Sequence, residues 1–346
     1  MAATNNAAAP SVKNGRVVAT ALGGPEVLKY VEEDLPEPGR AEVRVKILAA
    51  GVAFADVLMR RGLYPGTPPP PFTPGYDVVG EVESIGKDVT QFALGQRVGA
   101  LIVRGGYSQF AIVPEEFLVP VPESLDPGEA VCLILNYVTA YQLLHRVAKL
   151  SAGQRILIHG AGGGVGTALL QLGALHGLTR YGTASKSKQD TISAAGGIPI
   201  DYQHEDFSKR VRALSPSGLD AVFDPVGGTN WWRSYRLLRR GGALICYGMS
   251  AAVSHGKIVG AGSFLLMGIL KAIPDGRRCV WYSVTTLRTQ RPDWYREDLK
   301  TLFNLLAQRK IQPIIASRLP LREAAKASEM IEQAKVSGKI VLLCQQ

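Results

Sequence analysis

The sequence predicts a two-domain α/β protein, in which a unit built on a parallel sheet is inserted into a β-rich domain. Three observations carry that expectation. Short alternating segments between glycine and proline turns fill residues 16–120. A continuously apolar run, Arg155-Ile156-Leu157-Ile158-His159, ends in a glycine cluster that opens a helix. Strand-length and helix-length segments then alternate to about residue 287, as a doubly wound sheet requires. The 346 residues agree with two domains at about 150 residues each.

Residues 1–15 are rich in Ala and Asn and lack the unbroken apolar core of a secretory signal, so they read as a flexible tail. Glu42–Ile47 alternates polar and apolar residues, as a half-buried strand does, and 78–82 and 96–101 continue the pattern. Thr67–Pro71 reads as a stiff loop. Residues 127–144 form a helix-length apolar stretch, 155–159 a strand buried on both faces, and 167–176 a helix. Further strands are expected at 220–223, 243–247 and 279–282, amphipathic helices at 294–308 and 322–334, and a closing strand at 338–343. The β-rich domain is therefore assigned to 16–135 and 288–346, and the parallel-sheet domain to 136–287.

Composition sets the outer limits. With 46% hydrophobic and 20% charged residues, the chain is neither disordered nor a coiled coil. A net charge of +10 favours anionic partners: nucleic acid, a membrane surface or a phosphorylated cofactor. The four cysteines show no Cys-x-x-Cys spacing, so neither a cysteine zinc lobe nor a redox pair is readable. The late apolar run 260–270 has 11 residues. A bilayer span needs about 20. A soluble, cytoplasmic protein is expected.

The segment Ala161-Gly162-Gly163-Gly164-Val165-Gly166 carries the most chemistry. It follows a strand and opens a helix, the context in which a glycine turn seats a dinucleotide. Gly163 lets backbone approach a pyrophosphate, and Gly166 lets helix and strand pack closely. The helix N-terminus offers unpaired N–H groups and the positive end of its dipole. Ala161 stands where a first glycine usually makes the tight turn, which a negative φ would allow. At the end of the second strand an acidic residue would select NAD. Here Gly182-Thr183-Ala184-Ser185-Lys186-Ser187-Lys188 holds no carboxylate, and Asp190 falls on the next helix. Ser185 and Lys186 would attract a 2′-phosphate, so NADPH is the expected cofactor. A solvated lysine surface is the plainer reading of the same residues.

Several motifs in order resemble the zinc-free branch of the medium-chain dehydrogenase/reductase superfamily, the quinone oxidoreductase (zeta-crystallin-like) family. They are Gly51-Val52-Ala53-Phe54-Ala55-Asp56, Gly62-Leu63-Tyr64-Pro65, Pro74 to Gly80, Gly105-Gly106-Tyr107-Ser108, Leu157 to Gly166 with Gln171, Asp224 to Gly228, and Gly338-Lys339-Ile340-Val341. The resemblance covers about residues 16–346. It implies a GroES-like catalytic domain holding a Rossmann domain, an active site in the cleft between them, and homodimers. It also implies that Lys186 and Tyr202 hold the 2′-phosphate. Lys335 and Lys339 are weaker basic candidates near the C-terminus.

The zinc alcohol dehydrogenases of the same superfamily carry cysteine near the Ala53 position and Gly-His-Glu where this chain has Gly75-Tyr76-Asp77. Both ligands are absent, so no catalytic zinc is expected. Without a metal, reduction of an electron-poor quinone or α,β-unsaturated carbonyl is the accessible reaction. Tyr64 and Asp56 are the candidate catalytic residues. Tyr64 reads equally as a rim tyrosine, and Asp56 more readily as a helix anchor. Asn136 and Thr139 are matched to the family segment that contacts the nicotinamide end, and Gly248 and Met249 to the turn beside its ribose. Each has a packing role as the plain reading. Phe264 to Gly268 would form an apolar substrate wall or simple core. The family often has asparagine at the Ala53 position, and losing that amide points to a more apolar or altered substrate.

The leading expectation is an NADPH-dependent reductase of an enone, enoyl or quinone acceptor. A carrier-bound enoyl tailoring reductase is a second reading, with basic stretches at 233–240 and 277–278 facing an acidic carrier protein. A non-catalytic NADPH-binding structural or regulatory protein is a third. No aromatic-interleaved basic motif is present, so no nucleic-acid partner is expected.

Overall fold

The computed structural model describes residues 12–345, with the side chains of 252 and 254–261 left out. In the first part of the chain, β1 (Lys13–Ala19) and β2 (Leu28–Asp34) form an antiparallel pair. They are followed by β3 (Glu42–Val52), β4 (Asp77–Ile85), β5 (Arg97–Leu101), β6 (Phe110–Pro114) and β7 (Leu118–Pro120). The inserted unit contains β8 (Arg155–His159), β9 (Thr179–Ala184), β10 (Ile198–Asp201), β11 (Leu219–Asp224), β12 (Leu238–Cys246) and β13 (Arg278–Trp281). The chain then returns as β14 (Ile315–Pro320) and β15 (Lys339–Leu343).

The return segment completes the first sheet. Its order is β14-β15-β3-β4-β5-β7, with β6 also paired to β3. Ile340 of β15 lies opposite Val52 of β3, antiparallel. The inserted sheet is parallel throughout, in the order β10-β9-β8-β11-β12-β13. The chain builds outward from β8 in one direction and resumes beside it at β11. The crevice outside the carboxyl ends of β8 and β11 is therefore the topological switch point, where such sheets bind ligands. Ile156, Leu157 and Ile158 are fully buried, which explains their unbroken apolar run.

Residues 127–148 form one continuous helical segment, longer by four residues than its apolar pattern suggests. Asp126 caps it by accepting from Glu129 N–H at 2.8 Å, and Pro127 opens it. Two π-helical turns, Leu133–Tyr137 and Gln142–Ala148, interrupt its α geometry. Such turns commonly re-aim side chains at functional sites. The run 260–270 lies within the helix Ala251–Ala272. Among the described residues no helix is long and apolar enough to cross a membrane. All four cysteines are free and buried.

The expected flexible tail is shorter than 1–15. Residues 13–15 belong to β1, and the buried Asn14 amide accepts from Phe110 N–H and donates to Phe110 O. A side chain that suggests a loop here imitates a strand partner. Residues 1–11 lie outside the described part.

One buried ion pair joins the return segment to the first sheet. Lys339 Nζ lies 2.7 and 3.0 Å from the two Asp77 oxygens, with the residues 2% and 0% exposed. Replacing Lys339 by Met leaves Asp77 buried without its cation, which costs about 3–5 kcal/mol. Urea unfolding at pH 7 should show that loss in Lys339→Met and recover most of it in the double variant Lys339→Met with Asp77→Leu.

Candidate active site

The glycine turn begins one residue earlier than the sequence reading placed it. Gly160 has φ of +65° and makes the tight bend, so Ala161 needs no left-handed conformation and is fully buried. A Cβ on Gly166 would stand 2.4 Å from Gly160 O and 2.6 Å from Ala161 Cα, so the turn and helix touch backbone to backbone there. A Cβ on Gly163 would meet only Gly160 O, at 3.3 Å, and otherwise open space. Gly163 is the N-cap of the helix Gly164–Leu175, and no side chain caps it. Gly164 N–H faces Gly338 across a parallel bridge, so the first-turn N–H groups of Val165 and Gly166 are the ones left to an external acceptor. This arrangement fits a pyrophosphate.

Past the carboxyl ends of β9 and β10 lie Ser185, Lys186 and Tyr202. Lys186 is exposed and Tyr202 is 54% exposed, beyond the ends of two neighbouring parallel strands. Tyr202 is thus open to solvent rather than packed in the core. Lys188 joins them from the same turn. Its stem fills the space where a Cβ on Gly162 would be, 2.7–3.3 Å away. It forms no ion pair among the described residues, and burial pulls its pKa down. A partly desolvated ammonium beside a phosphate cradle is the basic residue that sequence reading passed over. Its only prior signal was its place in the Lys-Ser-Lys segment. These residues fit a 2′-phosphate.

Lys339 does not join this basic group. Its ammonium is spent on Asp77 and lies 3.4 Å from Asn136 Oδ1. Lys335 is exposed. The Asn136 amide nitrogen in turn sits against the glycine turn, 1.8 Å from where a Gly164 Cβ would be. Gly338 N–H donates to Gly162 O at 2.9 Å. The first domain therefore grips the turn from two sides.

On the other half of the crevice, Gly248 and Met249 follow β12. A Gly248 Cβ would stand 3.1 Å from Pro225 O, so the two loops are stacked closely. Buried Thr139 lies beside the Tyr282 phenol, which donates to Gln142 Oε1 at 2.7 Å. Beneath the loops, buried His159 bonds Thr183 and Ser234 at 2.9 Å each, and Ser234 donates to Asp224 at 2.9 Å. Asp224 Oδ1 accepts from Val226 N–H at 2.8 Å. This cluster braces the loop after β11, and only the Asp224-Pro225-Val226-Gly227-Gly228 motif hinted at it.

Half-buried Tyr64 meets the buried Tyr76 phenol at 2.8 Å, oxygen to oxygen. Asp56 is not available to a substrate. It is 4% exposed, and its oxygens accept from Ala53 N–H (2.8 Å), Gly75 N–H (3.1 Å) and Tyr107 O–H (3.0 Å). It anchors the helix Phe54–Arg60 to the Gly75 loop. Phe264 and Leu265, expected as substrate wall or core, are 45% and 71% exposed, whereas Met267 is buried.

Residues 39–123 match the family model of the alcohol dehydrogenase GroES-like domain, and 197–342 that of a zinc-binding dehydrogenase. The synaptic vesicle membrane protein VAT-1 homolog of Danio rerio is 33% identical over 335 residues, covering 94% of this chain and 69% of that protein. A quinone oxidoreductase of Pseudomonas aeruginosa is 33% identical over 332 residues, covering 95% and 99%. Among solved structures, the Escherichia coli quinone oxidoreductase complexed with NADPH superposes with a TM-score of 0.86 at 26% identity, covering 95% and 99%. The zinc in the family model's description finds no fit here. Ala53 is buried, Tyr76 is engaged by Tyr64, and Asp77 by Lys339. Among the described residues no three of His, Cys, Asp and Glu come together as metal ligands.

Burial outweighs the three donors around Asp56 and pushes its carboxyl from 3.8 up to about 6. A carboxyl raised by folding holds its proton longer in the folded chain. Its contribution is full below the unfolded pKa and is lost as pH rises through the folded one. About two units correspond to about 3 kcal/mol of unfolding free energy lost across that window. Urea unfolding from pH 4 to 7 should show this fall in the parent and a flatter profile in Asp56→Asn. Equal slopes would remove the assignment.

Proposed function

The chain belongs to the quinone oxidoreductase family of the medium-chain dehydrogenase/reductase superfamily, and from that membership we propose that it is an NADPH-dependent, zinc-independent reductase. Its acceptor is an apolar, electron-poor quinone or α,β-unsaturated carbonyl, bound in the crevice between the two domains. One observation carries this reading. An uncapped helix N-terminus on a bare glycine turn stands beside Lys186, Lys188 and Tyr202, with Ser185 at the same strand end. That set fits a diphosphate and an extra phosphate on the adenosine side.

NADPH, when bound, supplies the hydride. The residues of the chain do the rest. The N–H groups of Val165 and Gly166 hold the diphosphate. Lys186, Lys188, Ser185 and Tyr202 hold the 2′-phosphate. Asn136, Thr139, Gly248 and Met249 line the reactive half and exclude water there. Tyr64 supplies a proton to the reduced acceptor, completing an addition in which carbon takes the hydride. The Ala53 position offers no amide to a substrate oxygen, which favours acceptors with an apolar flank.

We also assign a homodimer to this protein. β13 is an edge strand of the parallel sheet, and Phe264, Leu265 and Ile269 stand 45%, 71% and 53% exposed on the helix beside it. The Phe264 ring lies 5.3 Å from that of Trp281 in β13. A second copy presents the same unpaired row and the same apolar side chains.

Two measurements test these statements. Lys186→Ala should weaken NADPH binding about tenfold, the value of one charge-assisted contact, and leave NADH nearly unchanged in a fluorescence titration. Equal loss for both cofactors overturns the assignment. Light scattering should report a dimer for the parent and a monomer for Leu265→Glu.

A further inference from the structure

The loop that carries Tyr64 leaves its ring to one partner. The helix Phe54–Arg60 is followed by Gly62, whose φ of +66° turns the chain, and Tyr64 lies beyond it, outside any helix or strand. Thr67 fixes the Tyr64 backbone, donating from its N–H at 3.3 Å and from its Oγ1 at 2.7 Å to the Tyr64 carbonyl. Among the described residues the Tyr64 phenol bonds only Tyr76, oxygen to oxygen at 2.8 Å. The two rings meet edge to face, with centroids 6.3 Å apart and planes at 78°.

Tyr76, by contrast, is clamped through its backbone. Its carbonyl accepts from both Ile102 N–H and Val103 N–H at 2.9 Å. Just before it, Gly106 N–H donates to Gly75 O at 3.1 Å and Tyr107 N–H to Pro74 O at 2.9 Å. Just after it, Asp77 is held by Lys339. Val103 makes its contact with a φ of +69°, a left-handed conformation that β-branched residues rarely adopt. Strain of that kind persists where the surrounding structure over-determines the backbone, and it collects at working sites. Tyr76 is 3% exposed, and a buried hydroxyl places its proton on an acceptor. The acceptor it has among the described residues is the Tyr64 oxygen, so Tyr76 donates and Tyr64 accepts. The Tyr64 proton then lies on the side of its oxygen that Tyr76 leaves open. Burial binds the Tyr76 proton more tightly than in an ordinary phenol, which keeps Tyr76 a donor.

We propose that Tyr76 is a positioning residue for the reduction: its phenol donates to the Tyr64 oxygen, fixes that ring in place, and stabilises the charge that forms on Tyr64 as its proton leaves. The proposal rests on Tyr64 being the proton donor. The Tyr64 O–H bond breaks as the acceptor, made anionic by hydride addition, takes the proton. The Tyr64 oxygen keeps the electron pair, and the hydrogen bond from Tyr76 becomes charge-assisted and stronger. Solvent then returns one proton to Tyr64, and Tyr76 keeps its own throughout. Tyr64 alone exchanges a proton with the acceptor, and Tyr76 acts through it.

The test uses the full chain with NADPH and two probes, trans-2-hexenal and 9,10-phenanthrenequinone, in a cycle of four proteins: the parent, Tyr64→Phe, Tyr76→Phe and the two changes together. Tyr76→Phe should keep the parent NADPH affinity and the KM for each probe, while kcat falls about tenfold, a part of what a full general acid contributes. In the Tyr64→Phe background the same change should move kcat by less than about twofold, because the oxygen it serves is gone. A 3-fluorotyrosine at position 76 keeps the shape of the side chain and strengthens the donor, and should raise kcat about twofold. Equal factors for Tyr76→Phe in both backgrounds, or a fluorinated protein no faster than the parent, overturn the positioning role and leave Tyr64 standing. If Tyr64→Phe itself matches the parent, or neither probe is reduced, the reading beneath it falls.

Discussion

The ion pair between Lys339 and Asp77 is the constraint on which the rest of the molecule depends. Removing two charges from water is costly, and here the cost is offset by contacts at 2.7 and 3.0 Å and by Asn136 close by. The three partners come from three places: the start of β15, the start of β4, and the long helix that enters the inserted unit. Gly51 leaves room for them, since a Cβ there would lie 2.2 Å from Lys339 Cε. The pair therefore sets how β15 registers on β3. Through Asn136 it also sets where the glycine turn sits against the first domain. A buried pair of this kind serves geometry more than stability, and the geometry it serves is that of the crevice.

The Gly75-Tyr76-Asp77 segment divides its work among three neighbours. Gly75, with φ of +109°, lets the chain pass within 2.4 Å of Tyr107 N, measured from where a Cβ would be. Tyr76 turns its phenol to Tyr64, and Asp77 takes the buried cation. Where zinc relatives are expected to hold a metal, this chain has built hydroxyl chemistry and an ion pair on the same backbone. In the proposed reaction, the electrophilic assistance that a metal would provide comes instead from the acceptor's own electron deficiency and from a well-placed proton.

Much of the fold was legible in the sequence because local pattern and global environment agree. The strand 155–159 is apolar on both faces and is buried on both. The helix 292–307 is amphipathic and packs one face. The glycine turn could be read from spacing alone, and Ala161 escapes the left-handed conformation, as expected, because Gly160 takes it. What spacing could not reveal is long-range pairing. Lys339 looks like any basic residue near a C-terminus, and only its partner, more than 250 positions away, makes it a core residue. Asp56 and Tyr76 are similar cases, because a side chain's role depends on who faces it. Tyr202 could be placed only through the family resemblance, since nothing in its own neighbourhood in the sequence marks an aromatic at a strand end as exposed.

The antiparallel contact of β15 with β3 has a consequence for synthesis. Residues 52 and 340 are opposite one another, with the whole parallel-sheet unit between them in the chain. On the ribosome the inserted unit can mature while the surrounding sheet still lacks a central strand. The same late segment lays Gly338 against the glycine turn. The crevice therefore closes only after residues 338–343 have emerged and β15 takes its place between β14 and β3.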